Sequence, residues 1–267
     1  MPPIKLKVFP LMEKIRAQSP VVHHLTNWVT ISDCAQVVKT LGGSPVMAHA
    51  RQEVEEMAGL ASALVLNIGT LTVEMVEAMK LAASSANARR IPVILDACGA
   101  GATALRDQKC FELLDEVQID LIKGNASEVA RLSGAAVRTK GVDASAVAVN
   151  LKEVAQSLAL RRQATVVITG PEDLVVDSDR RFVVKNGHPL MSRVVGTGCM
   201  AASVIGTFAA VEADLAVAAT AGLVAFNVAA EVAAELAPGP GSFKVKLIDC
   251  LAGLDEPTLA ERRRVSG

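Results

Sequence analysis

Short apolar runs alternate with longer helix-forming stretches as far as residue 170, and this rhythm restricts the fold more than any other feature of the chain. VVHHLT (21–26), SPVMA (44–48), ALVLNIG (63–69), PVILDA (92–97), DLIKGN (120–125) and TVVITG (165–170) read as strands. WVTISDCAQVVKTL, RQEVEEMAGLA and TVEMVEAMKLAASSANAR, which lie between them, read as helices. Strands joined through helices run parallel, so the chain is expected to fold as α/β, with a mostly parallel sheet covered by helices on both faces. ALVLNI and VVITG are apolar without alternation, as strands buried on both sides require. Ligands of such sheets bind beyond the carboxyl ends of the strands. Strand direction alone therefore places Asn27, Met47, Gly69-Thr70, Asp96, Lys123-Gly124-Asn125 and Thr169-Gly170 on one edge, with Glu128 a helical turn further on.

The rhythm changes after this. LVVDSDRRFVVKNG (174–187) reads as a β-hairpin around a polar turn, and from Gly196 to about Ala237 the chain reads as helical. PGPGS (238–242) breaks that stretch before a final helix, and the tail RRRVSG is expected to be a solvated end. No Gly/Ser/Pro-rich linker and no repeat divides residues 1–267, so a single domain is expected. Val194–Val211 and Leu215–Ala230 carry 18 and 16 uncharged residues, short for a membrane span, and their Ala and Gly content suits buried helices. No membrane partner is expected. MPPIKLKVFPLMEKIRAQSP interrupts its apolar residues with charge and proline, unlike a signal peptide.

Composition removes further classes. Half the residues are hydrophobic, enough to offset chain entropy, which excludes disorder. With 27 basic and 28 acidic residues the net charge is −1, and only 3% of residues are aromatic. Nucleic acid is therefore not an expected partner, lacking both a basic excess and a stacking surface. The five cysteines, Cys34, Cys98, Cys110, Cys199 and Cys250, lie at least 12 positions apart, without zinc-type spacing. A reduced, cytoplasmic setting is expected.

RVVGTGCMAASVIGTF (193–208) is the sharpest local signal. Gly-Thr-Gly-Cys opens an Ala-rich helix, whose N-terminus offers unpaired N–H groups and the positive end of the dipole. Glycines allow close approach of a phosphate, and a first-turn thiol such as Cys199 is acidified. Gly196, Thr197, Gly198 and Cys199 thus read as an anion cradle beside a reactive group. The bland alternative is a tight loop with a buried cysteine acting as a small hydrophobe. In ILDACGAGATALR (94–106), Gly99, Gly101 and Ala104 match a dinucleotide-binding G-x-G-x-x-A, but Asp120, the acid at about the right distance, opens its strand instead of ending it. No Walker P-loop is present, so ATP, if used, must be held another way. Asp96 and Glu128 are hard oxygen donors suited to Mg²⁺, although a helix cap and a solvated helix face would account for them separately. His23 and His24 are adjacent in a strand, point to opposite faces and cannot form a two-His metal site alone.

Together these segments resemble the hydroxyethylthiazole kinase family of the ribokinase-like superfamily. HHLTNWVT, GGSPVMA, ALVLNIGTLT, VILDACGAGAT, IKGNASE, VVITG, NGHPLMSRVVGTGC and GPGSF agree with it in order and spacing along nearly the whole chain. The resemblance implies a ribokinase-like fold and ATP-dependent phosphorylation of 4-methyl-5-(2-hydroxyethyl)thiazole in thiamine biosynthesis or salvage. It also implies Mg²⁺ and a homotrimer with active sites at subunit interfaces. By the same resemblance Asn27, Met47 and Gly196 contact the thiazole, and Lys123 and Thr169 contact ATP. Asp96 and Glu128 organise the metal, residues 196–199 form the anion hole, and Cys199 stands where related sugar kinases carry an Asp base. The chain departs from the family pattern at Ser32 and Gln36, where Asn is usual, at Asp-Ala-Cys-Gly (96–99) for Asp-Pro-Val-Gly, and at Lys123, where Arg is common. The alternatives are a related hydroxymethylpyrimidine kinase, a nucleotide-binding oxidoreductase using the 99–104 loop, and a non-catalytic binding protein of the same fold.

Overall fold

The computed structural model describes residues 6–134 and 151–267. Six parallel strands form the larger part of one sheet: β1 (Val21–Leu25), β2 (Ser44–Val46), β3 (Ala63–Asn67), β4 (Val93–Asp96), β5 (Leu121–Asn125) and β6 (Thr165–Thr169). Three antiparallel strands extend it: β7 (Asp173–Val176), β8 (Arg181–Val184) and β9 (Val265–Ser266). The spatial order is β2-β1-β3-β4-β5-β6-β7-β8-β9. The expected strands and hairpin are therefore present. The tail, expected as a solvated end, is instead the edge strand β9. Asn186 explains why: its Oδ1 accepts the Arg264 N–H at 2.8 Å, and the Arg264 guanidinium pairs with Glu231 at 2.6 Å.

Helices cover both faces. On one lie α1 (Val8–Gln18), α2 (Ile31–Leu41), α8 (Thr197–Ala209), α9 (Leu215–Leu236), α10 (Pro240–Ala252) and α11 (Glu256–Arg262), packed on Val22, Val65, Ile94, Leu121 and Val167. On the other lie α3 (Val54–Leu60), α4 (Val73–Ala88), α5 (Ala104–Glu116), α6 (Ala126–Leu132) and α7 (Leu151–Arg162), packed on Leu64, Leu66, Val93, Leu95 and Ile122. Strand residues of alternate parity feed the two cores, as the pleat demands. The expected break falls at residues 237–239, between α9 and α10, and Pro240 opens α10 in its first turn, where its missing N–H costs nothing. Two helices follow the break, not the single one expected, and α1 stands where the sequence reading placed no element.

Helix α9 is long and apolar enough to cross a membrane by length and composition, but 78% of its most apolar window is buried within the fold. It closes the core beside α8, which itself lies hard against the sheet. A Cβ at Gly206 would overlap Val65 Cγ2 and touch Val22 and Ile94. Glycine there lets α8 cross the sheet centre, and that depth brings its N-terminus level with the carboxyl ends of the parallel strands.

Candidate active site

The strand order reverses at β1: the chain leaves it for β2 on one side and returns to β3 on the other. Helix α2, which follows β1, and helix α4, which follows β3, pack on opposite faces. The crevice between the two strand ends is the topological switch point, where ligands of open α/β sheets bind. Asn27 follows β1, and Asn67 ends β3.

A polar chain runs across this crevice. Asn27 Oδ1 accepts from the Thr30 N–H and hydroxyl, both at 3.0 Å, and its Nδ2 donates to Asn67 Oδ1 at 3.0 Å. Asn67 Nδ2 donates to Asp96 Oδ2 at 2.7 Å, and Lys123 Nζ donates to Asp96 Oδ1 at 3.2 Å. All five side chains are buried. Burial pushes the Asp96 carboxyl up to about 6, against the pull of Lys123. Burial also disfavours the Lys123 ammonium, but Asp96, Glu128 and Cys199 outweigh it and hold its pKa above the usual lysine value. Lys123 is thus a fixed cation.

Helix α8 brings Cys199 into the same place. Its Sγ accepts from Asn27 Nδ2 at 3.3 Å and from Asn67 Nδ2 at 3.4 Å. The thiol pKa falls to about 5, first through a hydrogen bond from Cys98, with Lys123, Thr30 and Asn27 adding to it against burial. Cys98 is the counterpart: the same contact, with burial, drives its own thiol far above the usual range. Gly196 caps α8 at φ +93°, and no side chain caps that helix end. A Cβ at Gly196 would overlap Thr30 Cγ2. Glycine is therefore required by both conformation and space, and the first-turn N–H groups of residues 197–199 face the crevice uncapped.

The remaining expected residues fall around this centre. Glu128 is neither solvated nor free to swing. It is the N3 residue of a capping box on α6, its Oε2 accepting from the Asn125 N–H at 2.7 Å. Its Oε1 accepts from the Gly99 N–H at 2.8 Å, which ties the loop after β4 to α6. Burial raises its pKa. Thr169 ends β6, its hydroxyl donating to the Gly124 carbonyl at 3.4 Å. Met47 follows β2 and is half-buried. Its carbonyl holds the His49 ring at 2.8 Å, and that ring meets Trp28, with centroids 4.8 Å apart. His23 and His24 point to opposite faces as expected, toward the Ala48 carbonyl at 2.8 Å and the Ser203 hydroxyl at 3.0 Å.

The dinucleotide reading is not supported by this geometry. The Gly99 N–H is turned to Glu128, and the Gly101 N–H donates to Asp107 Oδ1 at 2.7 Å, so both amides face carboxylates of the chain itself. Sequence reasoning missed Asn67, Thr30, Cys98 and Arg106. Asn67 was legible as a polar residue closing an apolar parallel strand. Arg106 carried no signal. Its guanidinium binds the carbonyls of Ile68, Cys98 and Gly69 at 2.7, 3.2 and 2.7 Å and so clamps two site loops together.

Asp96 and Glu128 suit a hard cation. Each Asp96 oxygen accepts one internal hydrogen bond and keeps a second lone pair, as does each oxygen of Glu128.

Comparison with known proteins agrees over nearly the whole chain. The profile of the hydroxyethylthiazole kinase family matches residues 12–257. A hydroxyethylthiazole kinase of Methanosarcina mazei is 49% identical over 254 residues, covering 95% of this chain and 97% of its own. The solved structure of a hydroxyethylthiazole kinase from Pyrococcus horikoshii superposes with a TM-score of 0.89 at 39% identity, covering 97% of this chain and 98% of that one. A ribokinase-like superfamily protein from Enterococcus faecalis, at 15% identity and a TM-score of 0.65 over 91% of this chain and 94% of its own, shares the fold.

Proposed function

The chain belongs to the hydroxyethylthiazole kinase family, and from that premise we propose that it transfers phosphate from ATP to the primary alcohol of 4-methyl-5-(2-hydroxyethyl)thiazole, in thiamine biosynthesis or salvage. The observation that carries the reading is the meeting of Cys199, the uncapped N-terminus of α8 and the Asn27–Asn67–Asp96–Lys123 chain at one switch point.

The alcohol lies against Asn27, Met47 and Gly196, with its oxygen toward Cys199. Cys199 is a thiolate at neutral pH, and a base whose conjugate acid ionises at about 5 takes the alcohol proton late, as the new O–P bond forms. A loose transition state tolerates this, because little proton removal is needed early. The N–H groups of residues 196–199 hold the oxygens of the moving phosphoryl group, a cradle already organised before reaction. Lys123 and Thr169 meet the triphosphate, Lys123 with a charge that Asp96 preserves. When bound with the triphosphate, Mg²⁺ supplies further charge neutralisation, and Asp96, with Glu128 behind it, is the group that would hold the ion directly or through water.

The assembly we propose is a homotrimer with shared sites, in a reducing cytoplasm. Trp28, Val29 and Val195 flank the site residues at 57%, 67% and 72% exposure, the kind of surface a second copy would cover. The five unpaired cysteines suit that compartment.

Phosphorylation assays with ATP and Mg²⁺ over thiazole, hydroxymethylpyrimidine and sugar alcohols test the assignment. The thiazole alcohol should be the best substrate. Equal or better turnover of the pyrimidine would overturn the substrate assignment, and thiazole binding without turnover would make the chain a carrier.

A further inference from the structure

We propose that His49 is a positioning residue for the alcohol substrate: its ring fixes Met47 relative to Asn27 and so sets the pocket between them, a role that rests on the function proposed above. Backbone pairing between β1 and the edge strand β2 joins only Val21 with Ser44, Val22 with Pro45 and His23 with Val46. Beyond His23 the two strands part, and β1 goes on to Leu25 beside β3. Met47 lies one residue past the last pair, where that pairing gives out. Two histidine rings continue the connection. His23 Nε2 donates to the Ala48 carbonyl at 2.8 Å. His49 spans the gap, its Nδ1 donating to the Met47 carbonyl at 2.8 Å and its Nε2 accepting from the Thr26 N–H at 3.1 Å.

These two bonds fix the ring. A carbonyl only accepts, so Nδ1 carries the proton; an amide N–H only donates, so Nε2 is the bare nitrogen. One tautomer serves both partners, and a flipped ring would present carbon to each. Trp28 lies against the ring, with centroids 4.8 Å apart and planes at 35°, and its own backbone N–H donates to the Thr70 hydroxyl at 3.1 Å. Thr26 leads directly into Asn27, whose side chain Thr30 and Asn67 already hold. The ring therefore ties a residue beyond the end of the pairing to one that is firmly placed. His49 is not set against the alcohol itself and acts through Met47. Lys123 and Thr169, assigned to ATP, stand on β5 and β6, separated from β1 by β3 and β4. Loosening Met47 should thus weaken binding of the alcohol and leave ATP binding alone.

The test compares His49→Phe and His49→Gln in the full-length protein. Phenylalanine keeps a ring beside Trp28 and removes both hydrogen bonds. Glutamine places an acceptor oxygen where Nε2 stands and serves the Thr26 N–H alone. His49→Phe should raise KM for the thiazole alcohol roughly 5- to 20-fold, the scale of one or two lost hydrogen bonds, with kcat within about 2-fold and KM for ATP unchanged. His49→Gln should recover part of that loss. Hydrogen exchange at the Thr26 amide, which needs no substrate, should quicken in His49→Phe and slow again in His49→Gln. An unchanged KM for the alcohol in His49→Phe, equal losses in the two variants, or unchanged exchange at Thr26 would overturn the proposal. So would an equal rise in KM for ATP, the mark of a general loss of structure. Lack of thiazole phosphorylation by the unmutated protein would instead overturn the assigned function, with the Thr26 exchange series still deciding whether the ring makes the tie.

Discussion

Two side chains at the site have roles that the structure sharpens. In the proposed mechanism Cys199 accepts the alcohol proton, its thiol lowered to about 5 first by the hydrogen bond from Cys98. Cys199→Ala should lower kcat roughly 10- to 100-fold, toward or below the bottom of the usual range for a general base, with little change in KM for ATP because the cradle amides remain. A thiol ionising at about 5 works only above that value, and Asp96 at about 6 adds to the same limb. The rate should therefore fall as pH drops through about 6 to 5, and the alanine variant should lose the lower part of that limb in a pH–kcat profile. Full activity of the variant across that range would reduce the thiol to packing. Glu128 is a less simple probe than its charge suggests. Glutamine has one acceptor oxygen, whereas Glu128 serves the Gly99 and Asn125 amides with two. Glu128→Gln should raise the Mg²⁺ requirement and, by turning an NH₂ toward a buried N–H, cost about 1–3 kcal/mol in urea unfolding. An unchanged Mg²⁺ titration with the stability loss intact would leave Glu128 a loop tie alone.

Among the elements, α8 couples the core to the chemistry. It carries the cradle at one end and Gly206 against the sheet in its last turns, so its height over the strands sets where Cys199 lies. Gly206→Ala drives a methyl into Val65 and should cost about 1–3 kcal/mol by overpacking, lowering kcat as the N-terminus lifts from Asn27 and Asn67. Val65→Ala in the same chain should recover part of both losses, measured by urea unfolding and a double-mutant cycle. Recovery of stability without recovery of kcat would mean that the helix end is positioned by Gly196 and Thr30 instead.

For the molecule as a whole, one nine-stranded sheet runs through the described residues, and Trp28, Val29 and Val195 stand exposed beside the site. Light scattering at micromolar protein should give a trimer, and Trp28→Glu should shift it toward monomer with loss of activity. A fully active monomer would contradict shared sites.

The sequence by itself determined what repeats locally: the apolar runs, the hairpin, the helix opened by Gly-Thr-Gly-Cys, and the polar residues at strand ends. Strand direction was enough to bring Asn27, Asp96, Lys123 and Thr169 to one edge, because in a parallel sheet every strand points its carboxyl end to the same side. What it left open depended on which strands are neighbours and how deeply the helices sit. Asn67 matters because β1 and β3 pair, and Cys98 matters because the turn after β4 meets α8. Glu128 is buried because α6 docks under the Gly99 turn, where charge alone suggested solvent. The Val265-Ser266 end became a strand because Asn186 and Glu231, about 80 and 35 residues earlier, offer it partners. Each of these is a contact between residues far apart in the chain, set by packing and invisible to any local pattern.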